Sequence, residues 1–165
     1  MIFKSLLFAL LLTSNMVVYA KSVFAGRVTY VTDGDTLWVQ PDTGGLALKL
    51  RIDGIDAPEI CQTGGEASRD ILAQHALHQQ VIVMVKRKDM YGRGLARIQL
   101  NGQDLGAQMV LAGHAWSYRW HHSPGPYAQE EASARQSRLG LFAVARIEMP
   151  RDFRKRHGSC HILLG

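Results

Sequence analysis

Five strand-like segments, split three and two by a helix-like stretch, leave this chain few ways to fold. The clearest runs from Leu46 to Ile52. There Leu46, Leu48, Leu50 and Ile52 alternate with Ala47, Lys49 and Arg51, the period of a strand with one buried face. Before it, Val23 to Gln40 reads as two strands around a tight turn at Asp33-Gly34, and Pro41-Asp42-Thr43-Gly44-Gly45 is rich in turn formers. Glu66 to about Gln79 has helical character, with Ile71, Leu72 and Leu77 toward a core. Gln80 to Arg87 is a β-branched strand, and Leu95 to Leu100 is the fifth, turned at Asn101-Gly102. Asp104 is placed to cap a short helix through Leu111. Ser123-Pro124-Gly125-Pro126 precedes a further helix, from about Tyr127 to Leu139, stopped by Gly140. This order predicts an α+β domain built on a small barrel. Five short strands with a helix after the third fit an OB-fold, a Greek-key barrel suited to oligonucleotides.

A chain of 165 residues, 47% hydrophobic, is enough for one domain with a real core. Its first twenty residues read differently from the rest. Lys4 precedes an apolar run from Ser5 to Val18, interrupted only by Thr13, Ser14 and Asn15, and Val18 and Ala20 occupy the −3 and −1 positions of a cleavage site. The run is shorter than the roughly 20 apolar residues of a membrane span. Residues 1–20 are therefore predicted to be a cleaved signal peptide, with Lys21 as the mature N-terminus of a domain over 21–165; an uncleaved anchor is the alternative. Export would leave the protein periplasmic or secreted. In that setting the only two cysteines, Cys61 and Cys160, suggest one disulfide, with two free thiols as the alternative. The net charge of +5 favours an anionic partner, either nucleic acid or a membrane surface.

Three segments bear the chemistry: Asp33-Gly34-Asp35-Thr36, then Arg51-Ile52-Asp53-Gly54-Ile55-Asp56-Ala57-Pro58-Glu59, then Asp89-Met90-Tyr91-Gly92-Arg93-Gly94. Asp35 and Asp56 offer hard oxygen ligands suited to Ca²⁺ or Mg²⁺, and no His or Cys in these motifs points to Zn²⁺ or Cu²⁺. Two guanidiniums, Arg51 and Arg93, are the groups that neutralise a phosphoryl centre through paired hydrogen bonds. Glu59, behind the rigid Ala57-Pro58 step, supplies a carboxylate to handle water.

This ordered set resembles the staphylococcal nuclease family, from about Phe24 to about Phe142. The resemblance implies a five-stranded OB barrel with three helices and a Ca²⁺-dependent nuclease acting on DNA and RNA, with Mg²⁺ or another divalent ion as a possible substitute. It implies that Asp35 and Asp56 bind the metal through side chains and Ala57 through its carbonyl, where the type enzyme has threonine. Arg51 and Arg93 would clamp the phosphate, Glu59 would orient or deprotonate the attacking water, and products would carry 3′-phosphates. Tyr91 corresponds to a tyrosine beside the phosphate, and Tyr118 is a candidate for base stacking. Trp116 is expected in the core. The family also implies a monomer, with no stable membrane association once the leader is removed.

The basic segments Lys86-Arg87-Lys88 and Arg151 to His157 are read as solvated charge or as a track for phosphates. None of the seven histidines falls in a nuclease motif; His75, His78, His121 and His122 are read as surface or packing residues. A non-catalytic OB-fold binding module is the rival reading. Such a module would be expected to lose the acids or the arginines, and Asp35, Asp56, Glu59, Arg51 and Arg93 are all present.

Overall fold

Val28 and Val31 of β1 (Ser22–Asp33), Leu37 and Val39 of β2 (Thr36–Pro41), and Leu50 and Ile52 of β3 (Leu48–Ile52) all point into one core, in a computed structural model that describes residues 22–160. The predicted leader and Lys21 lie outside the described residues. β4 (Ile55–Asp56) and α1 (Gly65–Ala76) follow, then β5 (Gln80–Lys88) and β6 (Gly94–Leu100). β5 pairs antiparallel with β1 through Gly26 and Val81, and with β6 through Val83 and Ile98. A parallel pairing of β3 with β6, from Leu50–Gly94 to Ile52–Ala96, closes the ring of strands. The five strands β1, β2, β3, β5 and β6 thus form the closed barrel of an OB-fold, as the segment order predicts. Burying each Val, Leu or Ile here stabilises by roughly 1.5–3 kcal/mol.

The remaining elements cover the barrel. Asn101 and Gly102 turn β6 into β7 (Gln103–Asp104) with φ of 50° and 79°, the left-handed pair of a tight hairpin. Asp104 accepts a hydrogen bond from the Ala107 amide at 3.1 Å and caps α2 (Leu105–Leu111) as expected. β8 (Trp116–Ser117) pairs with β4, setting Trp116 opposite Asp56, and α3 (Ala128–Gln136) and a 3₁₀ turn (Gly140–Ala143) follow. Trp116, Ala134, Leu141 and Phe142 form a second apolar cluster, with Ile147 and Met149 packed on it. Trp116 meets Phe142 edge-on at 5.7 Å.

Three boundaries differ from the sequence pattern. β3 starts at Leu48, because the Gly44-Gly45 loop runs into Leu46 and leaves it 88% exposed. α1 stops at Ala76, where the chain reverses into β5. His78 there takes φ 63°, donates its amide to the Val28 carbonyl at 2.9 Å and accepts from Arg27 Nη1 at 2.8 Å. α3 ends at Gln136, short of Leu139. The three predicted helices are joined by a fourth, α4 (Pro150–His157), formed by the basic segment. Pro150 suits its first turn, Asp152 lies at its positive end, and Arg154 to His157 at its negative end.

Cys61 and Cys160 are disulfide-bonded, their Cα atoms 5.9 Å apart across 99 residues of sequence. In the chain-entropy account such a cross-link stabilises by roughly 4 to 5 kcal/mol. Among the described residues, no helix is long and apolar enough to cross a membrane.

Candidate active site

The Asp33-Gly34 turn sets the first acid. The Asp35 amide donates to Asp33 Oδ1 at 3.0 Å, which tightens the turn. A Cβ at Gly34 would lie 2.6 Å from Ser68 Cβ on α1 and 2.8 Å from Ala57 Cβ, so the turn packs against both only as glycine. Asp35 is thereby buried, 6% exposed. On the next strand Arg51 faces Thr36, and its Nη2 donates to Asp35 Oδ2 at 2.9 Å and to Asp56 Oδ1 at 3.1 Å. Asp56 is 4% exposed, held by the pairing of β4 with β8. Two buried carboxylates therefore converge on one guanidinium nitrogen.

Arg93 arrives from the other side of the barrel. Asp89 closes its loop: Oδ1 accepts from the amides of Tyr91 (2.9 Å) and Arg93 (3.0 Å), and Oδ2 accepts from Arg93 Nε at 2.7 Å. Gly92 takes φ +77° to permit the turn. The parallel pairing of β3 with β6, which sets Arg51 opposite Leu95, brings this loop beside Arg51. Glu59 follows Pro58, and its amide donates to Gln62 Oε1 at 3.3 Å.

Asp35, Arg51, Ala57, Glu59, Tyr91, Arg93 and Tyr118 all line one open cleft of about 1120 Å³, and the buried Asp56 joins them through its bonds to Arg51 and Arg154. Every predicted site residue is thus brought together. Tyr91 is 73% exposed at the rim, its ring 5.3 Å from the Arg93 guanidinium, and the Tyr118 ring is 5.9 Å from that of Arg51.

The charges are tuned by burial and by one another. Burial pushes Asp33 up, and the neighbouring Asp35 charge adds to this, to about 7. Asp35 also suffers from burial, but the Arg51 charge and hydrogen bonds outweigh it and hold the carboxyl below its ordinary value. For Asp56 burial wins and the carboxyl is raised, although Arg154 and Arg51 oppose the shift. Asp35 in turn raises Arg51.

Two residues have a part here that the sequence did not assign: Asp89, which heads the third motif, and Arg154, which falls in the basic segment read as solvated charge or a phosphate track. Asp89 anchors the Arg93 loop. Arg154 of α4 reaches over the cleft edge: Nη2 donates to both Asp56 oxygens at 3.1 Å and Nη1 to Glu59 Oε1 at 3.1 Å. The available signal was Cys160, which shares the C-terminal segment with Arg154 and pairs with Cys61, two residues after Glu59.

No group of three or more His, Cys, Asp or Glu side chains that could hold a metal ion is found among the described residues. The buried pair Asp35 and Asp56 still suits a hard divalent cation, provided carbonyl and water oxygens complete its shell. The donors are all oxygen, and the two anions already gather a cationic group between them.

Comparison with known proteins gives a consistent result. Residues 49–144 match the family described as staphylococcal nuclease homologue, a span that includes Arg51, Asp56, Glu59 and Arg93 but not Asp35 or Arg154. The chain is 34% identical to a micrococcal nuclease of Shigella flexneri, over 92% of this chain and 95% of that protein. It is 32% identical to an uncharacterized endonuclease of Haemophilus influenzae, over 79% of this chain and 72% of that protein. An uncharacterized endonuclease of Escherichia coli O157:H7 is 34% identical over 73% of this chain and 78% of its own length.

Proposed function

Because the chain belongs to the staphylococcal nuclease family and is a nuclease, we propose that it is an exported, Ca²⁺-dependent enzyme cleaving DNA and RNA at the Asp35–Arg51–Glu59–Arg93 cleft. The observation that carries this reading is the convergence of the Asp35 and Asp56 carboxylates with Arg51 in a cleft that Arg93 also lines. Asp35, Asp56 and the Ala57 carbonyl would hold the divalent ion. When bound, the ion supplies Lewis-acid stabilisation of a phosphoryl oxygen and can acidify water.

The chain's own residues account for the rest. Arg51 and Arg93 bind the non-bridging phosphate oxygens and offset the charge that builds on them as the phosphorus becomes five-coordinate. Glu59 accepts a hydrogen bond from the attacking water, and either fixes its direction or takes its proton. The water oxygen bonds to phosphorus as the bond to the 5′-oxygen breaks; one arginine assists the leaving oxygen, which takes a proton from solvent, so one product carries a 3′-phosphate and the other a 5′-hydroxyl. Tyr91 and Tyr118 flank the phosphate site with ring faces on which bases can stack, at roughly 1 to 3 kcal/mol each. Residues 1–20 act as the export signal, and the mature protein works as a monomer in the periplasm or outside the cell. The Cys61–Cys160 disulfide supports that setting.

Digestion of single- and double-stranded DNA and of RNA by residues 21–165, with Ca²⁺, with Mg²⁺ and with chelator, tests the proposal. Ca²⁺-dependent cleavage leaving 3′-phosphate ends is the expected result. Tight, salt-sensitive binding without cleavage in any metal would favour the binding-module reading instead.

A further inference from the structure

We propose that Arg154 is a positioning residue of the active site, holding Glu59 and Asp56 in a fixed relation, and that the disulfide-anchored α4 delivers it there. The inference rests on the reading of Asp56 as a metal ligand and Glu59 as the residue that handles water. It adds a part that lies outside residues 49–144 and so outside the span matched to the family.

The geometry is that of a bridge. One nitrogen of the guanidinium spans both oxygens of Asp56 and the other reaches Glu59 Oε1, each at 3.1 Å. Among the described residues, Arg154 is the one cation within ion-pair distance of Glu59, whereas Asp56 has Arg51 as well. A planar fork fixes two carboxylates at a set separation, which a point charge cannot do.

The scaffold beneath is built to keep that fork in place. α4 buries only Pro150, so its own packing does little to locate it. Two ties to the Glu59 loop locate it instead. Gln62, buried at 6% exposure, accepts from the Glu59 amide at 3.3 Å and donates to the Glu148 carbonyl, just before α4, at 2.7 Å. Beyond the other end of α4, Cys160 is bonded to Cys61. The loop that carries Glu59 is therefore clasped before and after the helix that carries Arg154. Gly65 seats the same loop: a Cβ there would fall 1.9 Å from the Glu59 carbonyl oxygen.

The donors that Arg154 gives to Asp56 occupy oxygens a metal ion would share. Removing them should tighten Ca²⁺ binding even as it loosens Glu59. Arg154→Ala is thus expected to lower kcat by about 10-fold or more, with KM within about 3-fold, since Glu59 acts in the transition state and Arg154 does not hold the phosphate. Calorimetric Ca²⁺ affinity, measured without nucleic acid, should rise several-fold. Arg154→Lys should restore part of kcat, because it keeps the charge and loses the fork. Cys160→Ser, which releases the tie and keeps the Arg154 side chain, should move kcat and Ca²⁺ affinity in the same directions; it also carries the test should Arg154→Ala fail to fold.

Asp35→Ala run alongside separates two failures. If Asp35→Ala abolishes cleavage while Arg154→Ala keeps or raises kcat, the proposal is overturned. A lower melting temperature with unchanged kcat and Ca²⁺ affinity would reduce Arg154 to a structural ion pair and overturn it equally. Cleavage that survives Asp35→Ala would overturn the reading of the site, and this proposal with it.

Discussion

Arg51 and Arg154 both donate to Asp56, yet they are held by different means. Arg51 sits in the middle of a strand paired on both sides, with Thr36 of β2 opposite it on one and Leu95 of β6 on the other. Its neighbours along the strand, Leu50 and Ile52, are buried in the barrel core. Arg154 has no strand beside it, and its helix is tied by one glutamine bond before it and a disulfide after it. A side chain on a closed barrel is positioned by many small burial terms that are lost only together. One on a terminal helix depends on a few discrete ties, each removable without unfolding the barrel.

The sharpest way to break this contrast is to cut the tie. Reduction of the Cys61–Cys160 bond is expected to cost about 4 kcal/mol of stability in the chain-entropy account, read as a lower denaturant midpoint, with the barrel still folding cooperatively. Next in size is Leu37→Ala in the barrel, where Leu37 is fully buried. It should cost about 3 kcal/mol by leaving a cavity, while kcat of the folded enzyme changes little. Tyr118→Ala tests the rim: loss of one stacking partner should raise KM by about 10-fold and leave kcat nearly unchanged.

The smallest effect concerns the Arg93 loop. Burial alone would raise the Asp89 carboxyl, but hydrogen bonds from the Arg93 side chain and from the Arg93 and Tyr91 amides outweigh it and hold it below the ordinary range. Its stabilisation is therefore complete above about pH 4 and is lost as the pH falls through the lowered value. The difference in melting temperature between wild type and Asp89→Asn should be largest near neutrality and shrink in acid.

The same contrast explains what the sequence made legible. Barrel strands announce themselves because apolar side chains must recur where the wall faces the core, as at Leu50 and Ile52. The turn acids and loop arginine sit in short motifs whose residues are neighbours in sequence, so Asp35, Arg51, Asp56, Glu59 and Arg93 could be found together. Leu46 fits the alternation yet is exposed, because a pattern of two does not say where pairing begins. α4 was hidden for a different reason. Five of its eight residues are charged, so no apolar stripe marks a buried face, and the contact that matters joins Arg154 to residues more than ninety positions away. Only the cysteine pair connected those two regions in the sequence, and a pair of cysteines does not reveal which side chain between them will reach the site.

Arg51, fixed by the barrel between Asp35 and Asp56, is proposed to serve the phosphate. The most direct measurement is the single-turnover cleavage rate of a 5′-labelled DNA strand in Ca²⁺, by wild type and by Arg51→Ala, each confirmed folded by its thermal transition. The expected result is a loss of about 1,000-fold in rate, together with about 3 kcal/mol of stability from two buried acids left short of a partner. An Arg51→Ala enzyme that is folded and cleaves within a few-fold of wild type would contradict it.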